Sequence, residues 1–238
     1  DLHRLIRRQR QMCIRDSTNI ISFIRMIKKK EKARLGIYEE YQDLFKKGIL
    51  VRGERFIEYV KEIADIYDQK VLNPEIRLED FEKKSLYKNL VNLMENFIPF
   101  SDWIPPLLAF YHKFRSDKDL LNFLLKLEKK TVMEWLGGFS TSRRITSFGK
   151  LIELIEKAQS SEEVIDNISI NDVISWYGYN NEKDFLRDFL DDTRFYSWHH
   201  GRLAKYILLR IDMECWELEN FRGYGGKITV EHILPRNP

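Results

Sequence analysis

From residue 18 onward the dominant pattern is apolar residues returning every third and fourth position, the spacing that lines one face of an α-helix. Phe56, Val60, Ile63, Ala64 and Tyr67 form one stripe, and Leu86, Leu90, Leu93, Met94 and Phe97 form another. The pattern returns at Leu151, Leu154, Ile155 and Ala158, then at Ala204, Ile207, Leu208, Ile211, Cys215 and Leu218. Each stripe predicts a helix with a core-facing side. Between Asp119 and Leu136 the apolar positions, which include Leu120, Phe123, Leu127, Met133 and Trp135, are too many for one narrow stripe, so this helix is expected near the centre. Asn73-Pro74, Pro99, Gly137-Gly138 and Gly178 separate the stripes as turns or helix ends. Pro105-Pro106 fits a first helical turn after a cap at Ser101 or Asp102. The run Lys28-Lys29-Lys30, with Lys32 and Arg34, reads as the solvated end of an early helix, favoured by the macrodipole. No fixed-period repeat is present.

The texture changes near Phe221-Arg222-Gly223-Tyr224-Gly225-Gly226, where glycines break the helical pattern. Beyond them Ile228, Val230 and Leu234 against Thr229 and Glu231 predict a short β-strand, ended by Pro235. The expected fold class is therefore mainly α, a multi-helix array followed by a first strand.

Composition adds little to that picture. With 43% hydrophobic and 32% charged residues the chain has an ordinary globular balance. Its apolar runs, such as Trp103 to Phe110, are far shorter than the roughly 20 residues that span a bilayer. The net charge of +3 sits in one place. Of 40 basic and 37 acidic residues, five and two fall in residues 1–17, so the remaining 35 and 35 cancel. Bulk charge thus gives no reason for the body of the chain to bind nucleic acid. The Arg-rich opening, Ile6 to Ser17, resembles translated sequencing-adapter DNA, and residues 1–17 are read as a non-native or disordered leader. The competing reading is a basic targeting or nucleic-acid-binding arm. Only Cys13 and Cys215 occur; Cys215, on the last stripe, is expected to be a buried small hydrophobe, and the sparse usage fits a reducing cytoplasm.

Chemistry concentrates in the predicted strand, where a carboxylate and an imidazole are adjacent at Glu231-His232. Phosphodiester hydrolysis needs a base to deprotonate water and a cation to neutralise charge on the phosphate, and such a pair supplies part of each requirement. The stretch Ile228 to Pro238, ITVEHILPRNP, resembles the EHILPQNP-like signature of the C-terminal HNH nuclease domain of GmrSD-type restriction endonucleases. The preceding helix, with Arg202, Lys205 to Arg210 and Ile211, is similar to that domain's lead-in. Trp103 to Phe110 through Leu127 to Lys130 resembles the helical region joining this nuclease to a ParB-like NTPase domain.

The resemblance implies His232 as general base, Glu231 as a ligand of Mg²⁺ or Mn²⁺, and Pro235 as the residue fixing the exit from the strand. It also implies DNA, possibly modified and foreign, as substrate in a restriction or phage-defence system. A straight strand would aim Glu231 and His232 to opposite faces, so a shared site requires a bend there. The central Asn and final His or Asn of the HNH motif would lie beyond Pro238, with the rest of the ββα-metal unit. The Asp-Gly-Gln-Gln-Arg-like NTPase motif is also absent, so NTP use is implied only for a missing N-terminal domain. On this reading residues 1–17 are the leader, 18–198 a helical linker domain, and 199–238 the start of a truncated HNH domain. The chain is expected to be a cytoplasmic fragment, inactive alone. The alternatives are a non-catalytic helical interaction module and a nucleic-acid-binding scaffold with a degenerate nuclease tail.

Other polar groups are weaker candidates. His199-His200 lacks a Cys or carboxylate at a metal-motif spacing and reads as a loop or helix start. His112, among Phe110, Tyr111 and Phe114, reads as a packed helix residue. Arg143-Arg144, near Ser142, Thr146 and Lys150, is a candidate DNA contact at a helix start, against a solvated first turn. The aromatic stretch Trp176, Tyr177, Tyr179, Phe195, Tyr196 and Trp198 is expected to pack in the core or on a neighbouring helix rather than stack on bases.

Overall fold

The computed structural model describes residues 19–192, 195, 197 and 201–215. Among these, all regular structure is helical: α1 (19–29), α2 (Ile37–Lys46), α3 (Glu54–Tyr67), α4 (Phe81–Phe97), α5 (Ile104–Phe114), α6 (Asp117–Leu136), α7 (Thr141–Lys157), α8 (Ser161–Asn167), α9 (Asn171–Trp176), α10 (Glu182–Leu190) and α11 (Arg202–Cys215). The expected strand at Ile228–Leu234 lies outside the described residues. No described helix is long and apolar enough to cross a membrane.

Side-chain caps fix where several helices start. Asp80 accepts from the Lys83 amide at the head of α4, Ser116 from Asp119 at α6, Ser160 from Glu163 at α8 and Asn181 from Asp184 at α10. Each satisfies an amide that the first turn leaves without an intrahelical acceptor. The start of α5 departs from expectation. Its N-cap is Trp103, without a side-chain cap; Pro105 and Pro106 occupy the first turn as expected, while the Asp102 carboxylate turns away to Arg144.

The core has two central helices. In α5 every residue from Ile104 to Phe110 is buried, because α3, α6 and α7 all pack against it. The 20-residue α6 meets α4, α5 and α8 and buries every residue of its last turn, Met133 to Leu136, as its excess of apolar positions predicts. Phe110 and Phe123 stack across the α5–α6 interface with ring centroids 4.0 Å apart.

The last helix is rotated from its expected orientation. Leu203, Ala204, Tyr206 and Met213 are buried, with α11 lying on α4, whereas Leu208, Ile211 and Cys215 on the predicted stripe are exposed. Cys215 is thus not the buried hydrophobe its position suggests. The Tyr206 hydroxyl donates to Glu128 of α6 at 2.9 Å and Arg210 Nε donates to the same oxygen at 3.1 Å. This polar anchor selects the inward face, and it makes α11 part of the core that α4 and α6 build.

The lysine run closes α1 as expected but is not solvated. Lys29 bridges Glu40 at 2.8 Å and Asp43 at 3.0 Å, Lys30 pairs with Glu156 at 2.8 Å, and the Lys28 ammonium lies 4.5 Å from the centre of the Tyr59 ring. Each fastens the end of α1 to a different helix. A further departure is a π-helical turn at Asp68–Leu72, continuing α3. Its wider winding turns Lys70 inward, where the ammonium donates to Asp117 at 2.8 Å and to the Glu75 carbonyl at 2.7 Å.

Candidate functional site

The residues that carry the nuclease resemblance, Glu231, His232 and Pro235, lie outside the described residues, as do His199, His200, Tyr196 and Trp198. Arg143 and Arg144 are described, and they part company. Arg144 is an internal strut: Nε donates to Asp102 at 2.8 Å, Nη1 to the Phe139 carbonyl at 2.7 Å, and the guanidinium lies 3.8 Å from the Phe100 ring centre. It ties α7 to the turn before α5. Arg143 faces outward, with its guanidinium 3.3 Å from the ring centre of Trp176 and 4.7 Å from that of Phe139. Trp176 is 61% exposed, so the pair forms a cationic and aromatic patch, with exposed Lys150 two turns further along α7. Such a patch can meet one phosphate. The neighbouring Tyr177 and Tyr179 pack against Phe185, and the Tyr177 hydroxyl donates to the Gly137 carbonyl at 2.6 Å, as the packing reading of this aromatic stretch expects.

His112 sits at the α3–α5 contact, 2.9 Å from a Glu62 carboxylate oxygen and edge-on to Tyr59. Burial holds its pKa below the ordinary imidazole value, against the pull of Glu62 and with Arg115 pushing the same way as burial. Neutral imidazole is therefore favoured in the fold, and the residue acts as a packed hydrogen-bonding group.

Two buried acids on α6 each gather a cation and a hydroxyl. Glu134 is fully buried; its Oε1 accepts from Ser147 at 2.6 Å and from Lys130 at 2.8 Å, while Oε2 has no hydrogen-bond partner. Burial raises its pKa against the attraction of Lys130 and the hydrogen bond from Ser147. A hydroxyl donating to a carboxylate is one link of a nucleophile–base pair. Here the same oxygen also takes the ammonium, so the carboxylate is committed to joining α6 to α7 rather than drawing a proton from Ser147. Glu128 behaves similarly: burial raises its pKa, opposed by Arg210 and Tyr206. These acids hold helices together. Among the described residues no group of three or more His, Cys, Asp and Glu side chains could hold a metal ion, so they do not meet the needs of a divalent-cation site.

No protein-family model, no curated protein and no solved structure matches this chain. The residues of the helical body must therefore speak for themselves.

One buried ion was not foreseen from the sequence. Glu40 of α2 is 1% exposed and accepts four hydrogen bonds: Arg25 Nε at 3.1 Å, Lys29 at 2.8 Å, and the amides of Arg34 at 3.0 Å and Leu35 at 3.1 Å. Burial alone would raise its pKa, yet Lys29, the two amides and Arg25 together hold it at about 2. A usable signal lay in single charges inside apolar runs: Arg25 between Ile24 and Met26, and Glu134 between Met133 and Trp135. Such charges are buried only when paired.

Proposed function

We propose that this chain is the helical body and nuclease lead-in of a metal-dependent HNH DNA endonuclease of the GmrSD type, acting on foreign DNA. The observation that carries the reading is the motif Ile228 to Pro238, in which Glu231-His232 is followed by Ile233-Leu234-Pro235. Within the described helices Glu134 and Glu128 are paired with Lys130 and Arg210, and no group of three or more His, Cys, Asp and Glu side chains there could hold a metal ion, so the proposal assigns the chemistry to the motif. In this proposal His232 takes the proton from the attacking water, and Arg143, outside the motif, offers one phosphate contact. Mg²⁺ or Mn²⁺, when bound in the complete domain, would supply charge neutralisation at the phosphate, with Glu231 contributing one carboxylate.

The decisive test starts with the reading frame beyond Pro238. The proposal requires an Asn and then a His or Asn in a strand-turn-helix pattern within a few dozen residues. Protein carrying that extension should nick or linearise plasmid DNA with Mg²⁺ or Mn²⁺, and His232→Ala should reduce cleavage by about 10²–10⁴-fold while the helical circular dichroism is unchanged. The 238-residue chain alone should leave the DNA intact. A stop codon directly after Pro238, or undiminished cleavage by a folded His232→Ala protein, overturns the nuclease reading. A helical interaction module is then favoured by an apolar groove of about 690 Å³ between α6, α10 and α11, where Leu186, Leu190 and Ile211 face Leu125 and Val132.

A further inference from the structure

Arg25 of α1 is placed as a ligand anchor would be. Its side chain is 8% exposed, yet only part of the guanidinium is used: Nε donates to Glu40 at 3.1 Å and Nη1 to the Glu31 carbonyl at 2.6 Å, while Nη2 is buried without a hydrogen-bond partner. A buried, charged donor left unpaired is costly, because its hydration has been lost and nothing replaces it. Arg25 also lines a cavity of about 480 Å³ between α1, the 30–36 connection, and the starts of α5 and α7. That volume is within the range of small-molecule sites.

The walls and the charge define what that partner is. Met26, Leu35, Ile37, Pro105 and Ile145 provide an apolar lining, and Leu35 and Ile37 are large hydrophobic side chains left 59% and 42% exposed at its rim. Both carboxylates of the lining are held: Asp102 by Arg144 at 2.8 Å, and Glu40 by Lys29 at 2.8 Å and by Arg25 itself at 3.1 Å. What remains is positive. Arg25 has a spare donor, and Lys32 stands exposed on the lining, with no ion pair among the described residues.

We propose that this cavity binds a small amphipathic carboxylate, a molecule with one negative head for Arg25 Nη2 and Lys32 and a short aliphatic body along the Met26–Leu35–Ile145 wall. A monoanion fits better than a phosphate ester or nucleotide, because Arg25 is already paired with Glu40 and Lys32 alone brings uncompensated charge to the lining, and the walls offer a sugar few partners. The site is independent of the nuclease motif.

The test uses the 238-residue chain, with decanoate as probe and decanol as its neutral control, read by calorimetry and by thermal melting. Decanoate should bind with one-to-one stoichiometry and raise the melting temperature, and decanol should bind at least about tenfold more weakly. Lys32→Glu, a change at an exposed residue, should weaken decanoate about tenfold without altering decanol binding or the melting temperature of the free protein. Ile145→Trp should fill the cavity and abolish binding of both. Arg25→Gln endangers the fold through Glu40, so Lys32→Glu carries the charge argument. Absence of decanoate binding overturns the proposal. So do equal affinities for decanoate and decanol, or decanoate binding untouched by Lys32→Glu in a folded protein.

Discussion

Gly149, buried in the middle of α7, is where the packing of α1 can be tested by a single methyl group. Replacing glycine by alanine in a helix interior ordinarily stabilises it by about 1 kcal/mol. Here an added Cβ would stand 2.2 Å from the carbonyl oxygen of Lys30, 3.0 Å from its carbonyl carbon and 3.2 Å from its Cβ. The obstacle is backbone, so no rotamer change relieves it. Lys30 is also held on every side: its φ is +57°, its amide donates to the Met26 carbonyl at 2.8 Å, and its ammonium pairs with Glu156 on α7 itself. Separating the groups to ordinary contact asks the end of α1 to move by about 1 Å, and overpacking of this kind costs about 1–3 kcal/mol, here at the upper end because the backbone must yield. After the propensity gain, Gly149→Ala should be destabilising by about 2 kcal/mol. For a chain of this size that is a fall of about 4–8 °C in Tm. Urea and thermal denaturation would measure it, with Lys150→Ala, at the next and exposed position, expected within about 0.5 kcal/mol of the parent. A Gly149→Ala protein more stable than its parent would show that α1 does not end against α7.

Three further outcomes concern two buried ion pairs and one half-buried imidazole. Glu40→Gln should cost about 2–5 kcal/mol, because it leaves Arg25 and Lys29 without their shared counter-charge. Since Glu40 is held at about 2, below the ordinary carboxyl value of 4.5, its contribution is present above 4.5 and lost as pH falls from there toward 2; a stability difference from Glu40→Gln that does not shrink over that window would refute the assignment. Lys130→Met should cost about 3–5 kcal/mol by stranding the Glu134 carboxylate, whereas Lys130→Met with Glu134→Leu should recover most of the loss, and equal melting of the single and double variants would rule the ion pair out as the cause. His112 should titrate below the ordinary 6.5 in a proton NMR pH series, so that its share of stability is held above 6.5 and declines as pH falls through its folded value; a midpoint above 6.5 would mean that Glu62 outweighs burial.

Much of the helical array could be read from spacing because, over most of the chain, one apolar face implies one buried face. Of the stripe on α4, Leu90, Leu93 and Met94 are completely buried, and of that running along α7 to its C-cap, Leu151, Ile155 and Ala158 are buried. Periodicity worked there because each helix had polar residues on its other side. It failed on α11, which carries apolar residues at 203, 204, 206 to 209, 211 and 213, enough for two competing faces. The choice between them was made by Glu128, which lies 78 residues from Tyr206 and 82 from Arg210 and has no local signature.

Locality likewise separates the parts of the functional picture. The Glu231-His232 motif is local, so a resemblance could be stated from eleven consecutive residues. The cavity at Arg25 is not local: its lining comes from α1, the 30–36 connection, α2, α5 and α7, and no two of its chemically important residues, Arg25, Lys32 and Glu40, are adjacent. Even the short run Lys28 to Arg34 was ambiguous, since a solvated helix end and a set of cross-braces have the same composition. What separates them is whether acids on other helices arrive within hydrogen-bond range, as Glu40 and Asp43 do for Lys29 and Glu156 does for Lys30. Lys29, with two carboxylates on its ammonium, has little left to offer a phosphate. Of the basic residues in that run, Lys32 is left facing the cavity without an ion pair among the described residues, which is why the inferred carboxylate site and not a nucleic-acid surface is the reading this end of the molecule supports.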